Sequence, residues 1–142
     1  MQEVDFEEVL GKVLAKDPRY QRGAYQFLRE ALDYTQKSAA KTRKWKIRHV
    51  TGQELLKGIR EYGLAQFGPM TQLVFGQWGI QRCEDWGETV FNLVEHNLLR
   101  KTESDTRADF QGGYDFDDAF RKPFLPAAKP VRPPPQPKAK AN

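Results

Sequence analysis

Two histidines, His49 and His96, and one cysteine, Cys83, are the residues of this chain whose types could carry metal or nucleophilic chemistry. A structural zinc site draws four ligands at short spacings such as Cys-x-x-Cys, and no such spacing occurs here. A thiol nucleophile needs a base within hydrogen-bond reach, and nothing in the spacing sets either histidine beside Cys83. Cys83 does fall at the start of an expected helix, a position that lowers a thiol pKa, but its neighbours Glu84 and Asp85 oppose a thiolate. Its expected role is structural. Asp115, Asp117 and Asp118 lack the Asp-x-Asp-x-Asp-Gly order of a calcium loop, so capping or solvated roles are expected for them. The glycines at Gly76–Gly79 and Gly112-Gly113 match neither glycine-rich phosphate fingerprint. The expectation is a protein with no catalytic site, no metal and no cofactor.

Charge is the next candidate for function, and it is unevenly placed. The net charge is +4 over 142 residues, but the six basic residues from Arg121 onward (Arg121, Lys122, Lys129, Arg132, Lys138, Lys140) meet no acid. That leaves 17 basic against 19 acidic residues in 1–120. A second basic run, Lys37, Lys41, Arg43, Lys44, Lys46 and Arg48, lies in an interval without acids between Asp33 and Glu54 and includes Trp45. Such a run can hold phosphates while an aromatic stacks a base. Glu84, Asp85, Glu88 and Glu95 give the expected fifth helix an acidic character instead.

The elements that position these groups follow from periodicity. Phe6, Val9, Leu10, Val13 and Leu14 fit one face of an amphipathic helix capped at Asp5 and ended by Asp17-Pro18. A second helix is expected from about Tyr20 to Gln36, with Ala24, Phe27, Leu28, Ala31 and Thr35 inward. Together they make a helical hairpin over 5–36, followed by a basic connector at 37–50 in which Trp45 and Ile47 alternate like a short strand. Thr51-Gly52-Gln53-Glu54 is a capping box, opening a third helix that stops at Gly68-Pro69. A short fourth helix, Pro69–Trp78, is expected to face Met70, Leu73 and Val74 inward, and Gly79 to break it. A fifth, Cys83–His96, would bury Trp86, Val90, Leu93 and Val94, with Asn97 as a left-handed cap. Leu98–Glu103 and Tyr114–Phe116 are expected to pair as a β-hairpin.

This order predicts a mainly α, α+β chain. A helical hairpin precedes a winged helix-turn-helix-like part at 51–120, within a single domain spanning 1–124. An irregular helical bundle is the rival. The segment 125–142 is expected to be a disordered tail, since seven of the nine prolines lie between Pro123 and Pro137 and its Pro, Ala and Lys cannot bury a core.

Several stretches carry a likeness. They are Asp17-Pro18-Arg19-Tyr20 with Ala24-Tyr25 and Glu30-Ala31-Leu32, Gly52-Gln53-Glu54-Leu55-Leu56 with Arg60-Glu61-Tyr62, and Phe67-Gly68-Pro69 with Trp78-Gly79-Ile80. To these add Glu84-Asp85-Trp86-Gly87, Val90-Phe91-Asn92-Leu93-Val94, and Tyr114-Asp115-Phe116 with Ala119-Phe120. Over roughly residues 5–120 the chain resembles a family of uncharacterised proteins restricted to Verrucomicrobia and Planctomycetes. The resemblance implies a bacterial cytosolic protein and brings no activity, ligand or site residue with it.

The expected function is a non-enzymatic protein-interaction module, binding its partner through Glu84, Asp85, Glu88 and Glu95, with the tail as tether. Helix-in-groove DNA reading is disfavoured because the would-be wing, 100–118, sets Arg100, Lys101 and Arg107 against six acids. The alternative is sequence-independent binding of RNA or a ribonucleoprotein through Lys37, Lys41, Arg43, Lys44, Trp45, Lys46, Arg48 and the tail. One cysteine, an acidic N-terminus and no long apolar run lead to the expectation of a cytoplasmic protein that does not enter a membrane.

Overall fold

Helix α1 (Phe6–Lys16) buries Leu10 and Val13 and ends where Asp17 precedes Pro18. Helix α2 (Arg22–Arg43) follows, with Ala24, Phe27, Leu28, Ala31 and Thr35 all buried, as the periodicity requires. The computed structural model describes residues 6–43 and 50–126. The α2 helix does not stop at Gln36 as expected, so the connector is shorter than 37–50. Lys37–Arg43 contains no proline or glycine, and its Lys, Ala and Arg are good helix formers. The expected strand at Trp45 and Ile47 lies outside the described residues.

Helix α3 (Gly52–Phe67) begins at the capping box: the Thr51 hydroxyl accepts from the Glu54 amide at 3.1 Å, and the Glu54 carboxylate accepts from the Thr51 amide at 2.9 Å. It packs on α2 more extensively than any other pair of elements packs. The approach is close because residue 58 is glycine: a Cβ there would collide with the Thr35 hydroxyl, which donates to the Ala31 carbonyl at 2.7 Å. A 3-10 turn, Gly68–Met70, leads into α4 (Thr71–Gln77), and α5 (Cys83–Glu95) follows. Asn97, with φ of 63°, closes α5. The Leu98 amide bonds to the Leu93 carbonyl at 2.9 Å and the Asn97 amide to the Val94 carbonyl at 3.0 Å, the paired bonds of a Schellman end.

The inward face expected for α4 is overturned at Met70 and Leu73, while Val74 is half-buried. Thr71 and Phe75 are buried, whereas Met70 and Leu73 are 51% and 55% exposed. Burial of Thr71 is tolerated because its hydroxyl lies 3.1 Å from the Gly63 carbonyl and 2.6 Å from that of Gly68. Phe75 then reaches the centre of an aromatic core, its ring 5.3 Å from Phe27, 5.1 Å from Trp86 and 5.3 Å from Phe120.

Beyond α5 the expected hairpin is also overturned: there is no strand among the described residues. A 3-10 turn (Arg107–Phe110), a π-helical turn (Asp117–Arg121) and a final 3-10 turn (Lys122–Phe124) take its place. Carboxylates account for this. Asp105 accepts the Thr102 amide at 2.8 Å, Asp109 the Thr106 amide at 2.9 Å and Asp115 the Asp118 amide at 3.2 Å. Each closes a tight turn, and the first takes the amide of Thr102, which lies in the expected strand 98–103. The fold is mainly α, with Phe110, Phe116, Ala119 and Phe120 buried against the helices. α3, α4 and α5 keep the expected order, without a wing. Of the expected tail, Leu125 and Pro126 are described and 127–142 lie outside the described residues.

Candidate interaction site

Three of the four acids singled out on α5, Asp85, Glu88 and Glu95, pair with basic side chains of the same chain, Asp85 with Arg82 at 3.8 Å. Asp85 accepts the Tyr20 hydroxyl at 2.9 Å and the amides of Gln81 and Arg82 at 2.8 and 3.1 Å, so it caps its own helix. Glu88 lies between Arg19 (3.3 Å) and Arg107 (3.5 Å), and Glu95 between Lys16 (3.6 Å) and Arg107 (3.4 Å). Arg107 also stacks over the Phe91 ring at 4.9 Å. Glu84 is half-buried in the first turn, beside Cys83.

Asp17 anchors the same region. Its carboxylate accepts the Arg19 guanidinium at 2.9 and 2.7 Å and the Asn92 amide nitrogen at 2.9 Å, and that nitrogen also donates to the Tyr25 hydroxyl at 3.0 Å. The Arg19 bonds hold the Asp17 carboxyl well below the usual carboxylate range. The Gln21 amide bonds to the Trp78 carbonyl at 3.0 Å. Gly79, at φ of 91°, sits so close to the Arg19 carbonyl that a Cβ would overlap it. The Asp17–Gln21 turn is thus a polar latch tying the N-terminal helices to α5 and to the turn before it.

Cys83 is buried, with Sγ 3.4 Å from the Tyr114 carbonyl, and burial pushes its thiol up to about 11. It is a thiol at neutral pH. His96 Nδ1 lies 3.0 Å from the Asn92 carbonyl, and His49 is outside the described residues. Among the described residues no group of three His, Cys, Asp or Glu is placed to hold a metal. Nor, among them, is any helix long and apolar enough to cross a membrane. Asp117 and Asp118 pair with Arg121 (2.8 Å) and Lys122 (2.7 Å) one turn on.

The basic run is divided. Lys37 pairs with Asp33 at 3.0 Å on α2. Lys41 and Arg43 belong to the last turns of that helix, and Lys44, Trp45, Lys46 and Arg48 lie outside the described residues.

Two of the open grooves among the described residues are large enough to take side chains of a partner. One, about 680 Å³, runs past Phe6, Arg29, Tyr34 and Tyr62, and most of its polar side chains already have contacts within the chain. Glu7 pairs with Arg22 at 2.6 Å, the Tyr62 hydroxyl donates to Glu30 at 3.0 Å, and Arg29 stacks over Phe6 at 4.4 Å. The other, about 550 Å³, lies between α4 and the C-terminal turns, bounded by Pro69, Leu73, Gly76, Phe120, Phe124 and Leu125. Leu73, Phe124 and Leu125 are each about half exposed, and with Met70 on the adjoining turn they are the exposed large apolar side chains of the described residues. Exposed glycine at 76 leaves the floor open, since nothing stands within 4 Å of where its Cβ would be.

Sequence reasoning did not find this groove. Met70 and Leu73 looked like core, and Phe124 marked only the end of order. The available signal was Phe120, Phe124 and Leu125 spaced at four and five residues just before the prolines. No family description, curated protein or solved structure matches the chain.

Proposed function

We propose that the chain is a non-enzymatic protein-interaction module whose partner docks in the groove between α4 and the Lys122–Phe124 turn. The observation that carries this reading is the gathering of half-exposed Leu73, Phe124 and Leu125 at one groove, with Met70 exposed on the adjoining turn. Apolar patches of this kind, rimmed by polar residues, mark interaction sites. The acidic face of α5 is the weaker surface, because Asp85, Glu88 and Glu95 already have partners. This reading needs no wing and no base contacts.

The test is affinity capture from native lysate with the full chain, with and without nuclease. Leu73→Asp is expected to abolish capture, whereas Glu88→Gln and nuclease leave it intact. Capture that survives Leu73→Asp and disappears with nuclease would remove the groove and favour the second reading. That reading, RNA or ribonucleoprotein binding, draws support from the continuation of α2 through Arg43, which sets Lys37 and Lys41 one helical turn apart on one element. Its signature is an affinity that falls steeply with salt and is blind to sequence.

A further inference from the structure

Of the arginines and lysines whose side chains are described, Arg60 alone is half-buried, and the rest are exposed. It stands on the face of α3 that meets the C-terminal turns, in an open cleft of about 370 Å³ bounded by Leu56, Lys57, Tyr114, Asp118 and Ala119. Other polar side chains there have contacts within the chain. The Gln53 amide nitrogen donates to the Asp109 carbonyl, the Tyr114 hydroxyl donates to the Leu56 carbonyl at 2.7 Å, and Asp118 pairs with Lys122 at 2.7 Å. Lys57, one turn before Arg60, meets Glu61 at 3.9 Å, the outer limit of an ion pair. Arg60 makes no hydrogen bond and no ion pair among the described residues.

A guanidinium offers only donors, set in a planar fork. Partial burial takes away some of the water that would serve them, and the chain puts no acceptor in its place. Arg19, Arg22 and Arg107, all more exposed, do meet carboxylates of their own chain. Independently of the docking groove, we infer that this cleft binds a small organic anion whose carboxylate or phosphate accepts the Arg60 fork. Either oxyanion fits that fork with two parallel hydrogen bonds. Lys57 adds positive charge at the rim, and Leu56, Tyr114 and Ala119 offer apolar surface to a compact carbon skeleton. The volume lies within the usual range of small-ligand pockets. Asp118 is the opposing charge of the cleft, offset in part by its pairing with Lys122. A nucleic-acid backbone is held by cations spread along a surface, which one arginine and one lysine beside an aspartate do not provide.

The experiment is a proton–nitrogen NMR titration of the full chain at constant ionic strength. Its arms are benzoate, phenyl phosphate, uncharged benzyl alcohol and a short single-stranded RNA. At least one of the two small anions should give saturable shifts centred on Arg60 and the Gly113-Tyr114 amides, and benzyl alcohol should give none. Benzoate binding that is constant between about pH 7 and 5.5 would identify the carboxylate as the ligand group. Phenyl phosphate binding that weakens over that interval would identify the phosphate, which loses its second charge near pH 6. Arg60→Gln should weaken the bound anion about tenfold or more, as expected for lost hydrogen bonds between charged groups, with the unfolding midpoint close to wild type. Arg60→Lys keeps the charge without the fork and should fall between. Lys57→Gln should cost about threefold, Asp118→Asn should not weaken binding, and Leu73→Asp should leave the titration unchanged.

Saturable shifts from neither anion, or an equal response to benzyl alcohol, overturn the inference. So does Arg60→Gln that lowers stability and leaves binding intact, since Arg60 would then serve only as a stem packed on its neighbours. RNA that binds through Arg60 more tightly than either small anion overturns it in favour of the nucleic-acid reading. Should Arg60→Gln fail to fold, Arg60→Lys and Lys57→Gln carry the test, and wild-type affinity in both overturns the inference.

Discussion

The face of α5 that meets the Asp17–Gln21 turn and the groove beside α4 are opposites in both sequence and structure. The first is dense with charge, and three of its acids are bonded within the chain: Asp85 to Arg82 and the Tyr20 hydroxyl, Glu88 to Arg19 and Arg107, Glu95 to Lys16 and Arg107. The second is apolar and short, and its side chains Leu73, Phe124 and Leu125 stay half exposed. A charged residue carries information about partners only once its intramolecular partner is known. An exposed leucine in a concave surface carries more, because water penalises leaving it there. The latch holds the molecule together, and the groove is the proposed docking surface.

That contrast can be broken at the latch first. Gly79→Val forces a β-branched residue into a left-handed φ and drives its Cβ against the Arg19 carbonyl. A loss of about 3 kcal/mol or more is expected from strain and clash together, read by chemical denaturation. An unchanged midpoint would mean that the turn does not pack on Arg19 as described.

Asp17→Asn is the next largest, with an expected loss of about 1.5–3 kcal/mol, the range for hydrogen bonds to a charged group. It also has a pH signature. The native Asp17 carboxyl is lowered by Arg19, so its contribution is fully present above the unfolded value of about 3.9 and fades as pH falls from there through the native value. Melting temperature measured from pH 6 downward should therefore drop less steeply in Asp17→Asn than in the wild type. Parallel curves would show that the latch carboxylate is not the group being protonated.

Thr51→Ala removes one half of the capping box on α3 and should cost about 0.5–2 kcal/mol. It sharpens the comparison by supplying a destabilised protein whose groove and latch are both intact, so capture by this variant should match the wild type at temperatures where it is folded.

The sequence was most informative where the signal was local. The capping box at Thr51, the left-handed cap at Asn97, the end of α1 at Pro18 and the inner face of α2 each depend on a few neighbouring residues. It failed where two local signals competed. In Lys37–Arg43 the run of positive charge points to a connector, but the helix propensity of Lys, Ala and Arg wins. Asp105, Asp109 and Asp115 lay inside what looked like strand and loop, and their side chains closed turns instead. In α4 the face was misassigned because a helix of 7 residues offers too few positions to fix a period. Burial of Thr71 then depended on carbonyls of Gly63 and Gly68, one of them in another helix. The groove is hidden for the same reason, since a period fitted to so few positions turns Leu73 inward.

The smallest effect on stability is expected at the groove, and there the central claim is most directly tested. Leu73→Asp and Glu88→Gln would be compared in one experiment that records both the unfolding midpoint and the partner captured from lysate at a temperature where both variants are folded. Leu73 is exposed, so Leu73→Asp should shift stability by no more than about 0.5 kcal/mol while capture disappears. Glu88→Gln should lower stability slightly through its contacts with Arg19 and Arg107 and leave capture unchanged. The reverse pattern, with capture lost in Glu88→Gln and kept in Leu73→Asp, would contradict the account and return the interaction surface to the acidic face of α5.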